Sequence, residues 1–298
     1  MNELIDKNGL TEEEYLAAYC PGDYVKPSVA VDMVIFSAAD QKMENYRKLP
    51  QKELKILLIK RSGHPYLSCW ALPGGFVEPD ETTEEAALRE LKEETGVENI
   101  YLEQLYTFSD PKRDPRTWVM SCSYLALIDS SKVNVSAGDD AALASWFTVS
   151  LEMTARNIDE HENGFTRTTD YLLTLTDGDI TLSATVRHIL DRNDTGTKNT
   201  YQIINNNGIA FDHARIICYA LERLRGKVQY TDIALNLVPE YFTLTELQQV
   251  YEIILGTPLI KAPFRRKYGE LLAESTEMQT SDAGHRPSRL FKRKWMTD

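Results

Sequence analysis

The chain has little of what staples or anchors a protein. Cysteine occurs only at Cys20, Cys69, Cys122 and Cys218, with no C-x-x-C pair. That spacing supports neither a disulfide framework nor a zinc site, so free buried thiols are the expectation. No stretch approaches the roughly 18 apolar residues that a membrane span needs, so no membrane partner is expected. The opening MNELIDKNGLTEEEYLAAY lacks a basic start and an apolar core, which makes a cytoplasmic setting the expectation. Positive charge is scarce as well: 33 Lys and Arg stand against 45 Asp and Glu, a net charge of -12. Such a sum argues against nucleic acid, although distribution matters more than the total. Composition is otherwise that of an ordinary soluble globular protein, 42% hydrophobic and 26% charged, and 298 residues suffice for about two domains.

Against that background one stretch stands out. Residues 75–97 read GFVEPDETTEEAALRELKEETGV. Thr82 with Glu85 three residues later makes a capping box, so a helix is predicted from Thr83 to a stop at Gly96. On that helix Glu90, Glu93 and Glu94 lie within about 100° of one another and should repel. A divalent cation would relieve the repulsion. Leu88 is placed opposite the carboxylates with Ala87 and Leu91 on the flank, and Ala86 on the acidic side leaves room for a ligand. A solvated glutamate-rich face is the alternative for an isolated E-x-x-E-E. The surroundings decide between the two: Gly75, five residues, Glu81, seven residues, Arg89-Glu90-Leu91, then Glu93-Glu94 and Gly96-Val97.

This stretch resembles the Nudix box, G-x5-E-x7-R-E-U-x-E-E-x-G-U with U aliphatic, at every fixed position. The resemblance implies a diphosphate substrate, a nucleoside diphosphate linked to a further group, and hydrolysis with Mg2+ or Mn2+. It assigns Glu90, Glu93 and Glu94 to catalysis and to the metal, with the Gly75 carbonyl as a further ligand. Glu81 and Arg89 would brace loop and helix. The residue types suit that chemistry, since magnesium takes oxygen ligands, keeps several waters and shares its shell with phosphates. The general base is left open among Asp139, Asp140 and the Asp159, Glu160 and Glu162 group around His161.

Strands are expected at Ser28–Ser37, Ile56–Ile59 and in the segments starting at Ile100, Trp118 and Ala144, around the central helix. Residues 39–53 read as a polar inserted loop. Two Asp-Pro pairs make 110–116 a turn, from which Arg113 and Arg116 could reach a substrate phosphate or ribose. Thr166–His188 is expected to form an additional hairpin, and 191–208 a polar boundary. Beyond it the period is helical: Phe211–Arg225, a short helix from Thr231, a longer one from Leu244 capped by Thr243 with Glu246, and a fourth near Pro263.

Residues 257–298 carry a local net charge of +4, leaving -16 for the rest. Helix, turn, a basic helix with Arg265, Arg266 and Lys267, and a basic hairpin with Arg286 and Arg289 resemble a winged helix-turn-helix that binds DNA. An all-helical oligomerisation module is the alternative. WALPGGFVEPDE, DPKRDPR, AFDHARIICYALERLRGK, FTLTELQQVYEIILG and FRRKYGELL in this order are similar to the Nudix-related transcriptional regulators of NAD metabolism. The expected fold class is therefore α/β, of the α+β kind: a Nudix mixed-sheet sandwich over residues 1–205, then a linking helix and winged helix-turn-helix domain over 206–298. The resemblance implies a homodimer on a palindromic operator, with ADP-ribose or a related metabolite altering DNA affinity. Retained hydrolysis, a catalytically silent repressor and a plain hydrolase with a dimerising C-terminal domain are the three functional expectations.

Overall fold

Strand β1 (Ser28–Asp40) runs through the centre of the molecule and is buried on both faces. The computed structural model describes residues 4–20, 22, 25–41, 51–98, 100–129, 143–279 and 287–294. A short N-terminal helix, α1 (Glu12–Ala18), buries none of its residues. β1 pairs antiparallel with β2 (Lys52–Lys60) on one side. On the other it pairs parallel with β6 (Val119–Asp129), which is antiparallel to β5 (Tyr101–Phe108). Two short strands, β3 (Trp70–Ala71) and β4 (Gly74–Phe76), attach to β2 and β1. Because both faces of β1 are covered, its sequence reads as a near-continuous apolar run with incomplete alternation. Val31, Met33 and Ile35 point to one core, shared with Ala86, Ala87 and Leu91 of α2 (Thr83–Thr95). Val34, Phe36 and Ala38 point to the other.

The sheet does not stop at β7 (Ala144–His161). The start of β7 pairs with β2, and the rest continues through β8 (Gly164–Asp177), β9 (Ile180–Asn193) and β10 (Gly196–Asn207). The result is a ten-stranded sheet with the main order β10-β9-β8-β7-β2-β1-β6-β5. The expected hairpin after Thr166 is present, but the expected polar boundary at 191–208 is the end of β9 and all of β10. Its Thr and Asn residues are those of an edge strand, whose outer face stays in water. Tyr201 and Ile203 on the same strand pack against the second core.

That second core belongs to the C-terminal helices. α3 (His213–Lys227) buries Ile216, Ile217, Ala220, Leu221 and Leu224. A 3-10 turn at Ile233–Leu237, then α4 (Leu244–Leu255) and α5 (Lys261–Tyr268), extend the same apolar cluster without a break. α4 starts with the capping box of Thr243 and Glu246 read from the sequence. β11 (Leu272–Gln279) and β12 (Ser288–Arg293) form the antiparallel hairpin that follows. Arg225 ties the layers together, donating from Nε to the Ile254 carbonyl at 3.0 Å and from Nη2 to the Leu151 carbonyl at 3.1 Å. All four cysteines are free, but Cys218 alone is buried and Cys20 is exposed. Among the described residues no helix is long and apolar enough to cross a membrane.

Candidate active site and nucleic-acid interface

The loop from β4 into α2 is held by Arg89. Its Nε and Nη2 donate to Glu81 Oε2 and Oε1 at 3.1 and 2.8 Å, the paired geometry that makes Arg–carboxylate contacts rigid. Nη1 reaches Glu90 Oε1 at 2.9 Å, and Nη2 the Phe76 carbonyl at 3.3 Å. Glu81 and then Glu90 hold the Arg89 guanidinium above its ordinary range. Close approach to backbone requires the first of the two glycines before α2, and at the second a side chain would displace the Glu90 carboxylate. A Cβ on Gly74 would lie 2.0 Å from the Val31 carbonyl oxygen, and one on Gly75 would lie 1.9 Å from Glu90 Oε1.

α2 docks through Ala86, Ala87, Leu91 and Thr95, whereas Leu88 is 42% exposed. This corrects the expected orientation: small alanines let the helix backbone approach β1, and Ala86 is core rather than ligand space. Glu90 and Glu94 follow Ala86 at four-residue steps, so both turn partly inward. Glu94 Oε2 is buried with no hydrogen-bond partner. Burial, then the charges of Glu90 and Glu93, raise the Glu94 carboxyl above its ordinary value. Burial likewise raises that of Glu90, against the pull of Arg89. Glu93 is exposed, with Oε2 at 3.6 Å from Arg89 Nη1. A buried carboxylate oxygen with no partner is costly, and a hard cation is the group that would satisfy it. The donor set therefore fits a divalent metal. Among the described residues no three His, Cys, Asp or Glu side chains converge closely enough to hold one by themselves. An open set of this kind leaves coordination positions for water and phosphate.

Beside Gly74, Gly75 and Phe76 opens a cleft lined by Arg61, Arg116 and Phe211. Arg116 is half-exposed and engages Asp114 through Nε and Nη2 at 3.0 and 2.7 Å. Arg113, expected to contact ligand, also lines the cleft, with its side chain 5% exposed. Two of its three nitrogens are engaged: Nη2 bonds Asp32 Oδ2 at 3.1 Å and Asp212 Oδ1 at 2.7 Å, and Nε bonds Asp212 Oδ2 at 3.2 Å. Asp32 also accepts from Ser121 Oγ at 2.6 Å. The Leu72 N–H donates to His213 Nδ1 at 2.9 Å, which leaves the ring proton on Nε2, facing Asp32 Oδ1 at 3.4 Å. Burial works against the Asp32 charge, yet His213, Arg113 and Ser121 together hold its carboxyl far below the ordinary range.

Sequence reasoning passed over Asp32, Arg61, Phe211 and His213. Asp32 left one signal, a charge inside the apolar run SVAVDMVIF. Of the candidate bases, Asp159, Glu160 and Glu162 sit exposed with His161 around the β7–β8 turn and do not line the cleft. Asp139 and Asp140 lie outside the described residues.

At the other end, Arg265, Arg266 and Lys267 are exposed on α5, while Phe264 and Tyr268 of the same helix are buried. The β11–β12 hairpin is attached at Phe242, which exchanges backbone hydrogen bonds with Phe291 at 3.0 and 2.8 Å. Arg289 on the hairpin pairs with Glu274 across it. Arg286 lies outside the described residues.

A mixed sheet bearing a complete Nudix loop and helix, continued by helix, turn, basic helix and hairpin, defines a Nudix protein with a winged helix. The NUDIX domain model matches residues 46–168, and that of the NrtR DNA-binding winged helix domain matches 234–292. The ADPR responsive transcriptional repressor NtrR of Acinetobacter baylyi is 35% identical over 288 residues, covering 96% of this chain and 89% of that one. The chain belongs to this NrtR family of Nudix-related transcriptional regulators. The crystal structure of Shewanella oneidensis NrtR complexed with a 27mer DNA is similar at 29% identity and a TM-score of 0.61, over 89% of this chain and 93% of that one. The ADP-ribose pyrophosphatase of Methanocaldococcus jannaschii is 44% identical over 124 residues, 42% of this chain and 63% of that one.

Proposed function

We propose that this protein is an ADP-ribose-responsive transcriptional regulator of NAD metabolism genes that also hydrolyses ADP-ribose, or a related nucleoside diphosphate derivative, at its Nudix box. Residues 1–205 form the ligand-binding part, and 206–298 the linking helix and DNA-binding part of a homodimer. The observation that carries the hydrolytic reading is the folded box, in which Glu94 keeps a buried, unpartnered oxygen beside Glu90 and Gly75. Glu90, Glu93, Glu94 and the Gly75 carbonyl would hold Mg2+ or Mn2+. When bound, the metal supplies charge on the phosphoryl oxygens and an activated water. Arg89 and Glu81 keep the loop at the distance that this arrangement needs.

Regulation requires the ligand to bind the DNA-competent and DNA-incompetent states unequally. The continuous core from the sheet through α3 to α4 and α5 is a physical route for that inequality. One assay tests the whole reading: ADP-ribose with magnesium, measured for hydrolysis and for release of promoter DNA in the same preparation. A second reading, a ligand-responsive repressor without turnover, is favoured by the similarity to a repressor over nearly the whole chain. DNA release without AMP formation selects it.

α5 presents its basic residues outward, which favours DNA over a purely dimerising role for this domain. Arg266→Ala is expected to weaken binding to promoter DNA and to reduce the slope of log affinity against log salt by about 1. Fluorescence anisotropy across a salt series reads both quantities. An unchanged slope removes Arg266 from the phosphate-contacting set.

A further inference from the structure

Helix α3 carries Glu222 and Arg225 three residues apart, a spacing at which opposite charges on a helix normally pair. Here the two form no salt bridge with each other, and each is used elsewhere. The Glu222 carboxylate turns to the sheet, accepting from the Tyr171 hydroxyl of β8 at 2.7 Å and from the Tyr201 hydroxyl of β10. Arg223 Nη2 donates to the Leu105 carbonyl of β5 at 3.3 Å, and Lys227 pairs with Glu103 of the same strand. β10 and β5 stand at the two ends of the strand order, so α3 is fastened to the sheet near both edges.

Arg225 instead joins two parts of the molecule. Its half-buried side chain bonds the Leu151 carbonyl of β7 and the Ile254 carbonyl of α4. Leu151 lies within the matched NUDIX region, Ile254 within the matched winged helix, and Arg225 in neither. The Ile254 carbonyl belongs to the last turn of α4, and the residue four positions on is Pro258, which has no N–H to donate. Leu151 lies past Thr148, where the pairing of β7 with β2 ends. Burial pulls the Arg225 guanidinium below its ordinary value, against the pull of Tyr171 and Glu222. Much of the junction around it is apolar, with Leu247, Val250, Tyr251 and Ile254 of α4 in the core shared with α3 and the sheet. Apolar contact is non-directional and compatible with more than one seating of α4, whereas two hydrogen bonds from one planar guanidinium are met in one. Fixing register is the best-attested role of polar groups in such surroundings.

We propose that Arg225 is a positioning residue for DNA binding: by bonding β7 and α4 at once it seats the winged helix on the Nudix sheet, so that α5 and the β11–β12 hairpin are presented in one orientation. The inference rests on the DNA-binding reading above. In the homodimer two winged helices meet one duplex, so a shift in seating displaces both from their half-sites.

Fluorescence anisotropy of the full-length protein without ADP-ribose tests this, comparing a promoter duplex of an NAD metabolism gene with an unrelated duplex of equal length at one salt concentration. Arg225→Met keeps the apolar stem and removes both bonds. It is expected to lower the preference for promoter over unrelated duplex roughly 10-fold or more, the scale of one mismatched base pair. Affinity for the unrelated duplex reads the basic surface residues, which are unchanged, and is expected to stay within about 2-fold. Arg225→Lys keeps the charge without the planar fork and is expected to hold the fold and to fall between. Wild-type protein that does not discriminate between the duplexes overturns the reading as a promoter-binding regulator and this inference with it. Wild-type discrimination that both variants retain, or equal weakening of both duplexes, overturns the role of Arg225 alone. Where Arg225→Met does not fold, the ratio in Arg225→Lys decides between the same outcomes.

Discussion

Glu94→Gln is expected to lower magnesium-dependent hydrolysis of ADP-ribose roughly 100-fold or more, while making the metal-free protein more stable. Both effects have one origin. Glu94 turns inward along the Ala86–Glu90–Glu94 row and leaves one oxygen buried without a partner. Burial, Glu90 and Glu93 disfavour its ionised form, so its folded pKa lies above the unfolded one. The folded state then binds the proton more tightly, and the stability this contributes is present below the unfolded pKa and lost as pH rises through the folded value. Metal-free wild-type protein should therefore gain stability from this group as pH falls from neutral into the carboxylate range. The glutamine variant, which keeps the shape without the charge, should lack that gain. Stabilisation by added magnesium should run the other way and grow with pH, because ligating carboxylates must be deprotonated. Urea denaturation in a chelator, repeated with magnesium and paired with turnover, separates the outcomes. A variant that turns over at the wild-type rate sinks the metal assignment; one that is less stable without metal sinks the account of the buried oxygen.

Arg113→Ala is expected to cost about 3–5 kcal/mol of folding stability, the usual consequence of removing one partner from a buried ion pair. The substitution leaves Asp32, 9% exposed in the middle of β1, with only His213 and the Ser121 hydroxyl against its charge. Asp212 suffers less, because Arg215 Nη2 bonds it at 2.7 Å. The sign of the pH dependence is opposite to that at Glu94. The folded Asp32 pKa is depressed, so its contribution is present above the unfolded pKa and lost as pH falls through the folded value. Adding Asp32→Asn to Arg113→Ala should recover part of the loss, and a double-mutant cycle in urea measures the coupling. Wild-type stability in Arg113→Ala, together with weakened ADP-ribose binding, would instead make Arg113 the ligand contact that its sequence position suggests.

These two residues show where the sequence is legible and where it is not. The Nudix box, the capping boxes at Thr82 and Thr243 and the stop at Gly96 depend on neighbours within one or two helical turns. The elements they specify stand where they were read. Burial depends on what arrives from elsewhere in the chain. Arg113 and Arg116 lie three apart in one turn, look alike and both line the cleft, yet the first is enclosed by Asp32 and Asp212 while the second is half-exposed. β10 looked like a boundary because its residues are polar. It is a strand because β9 pairs along it and α3 lies against Tyr201, whose hydroxyl bonds Glu222.

The sequence by itself determined that this chain carries a Nudix box, that helices and a basic hairpin follow it, and that the two parts together belong to a transcriptional regulator. Its fixed positions constrain one another locally, through backbone hydrogen bonds, caps and the helical period. Only the tertiary structure decided that a Glu94 carboxylate oxygen is buried, that Arg113 is enclosed by Asp32 and Asp212, and that Phe211, from the chain entering α3, lines the Nudix cleft. Each follows from contacts between residues far apart in sequence, such as Asp32 with Arg113 and Leu72 with His213. Such contacts are set by how the sheet and α3 stack, and no short window of residues encodes that stacking.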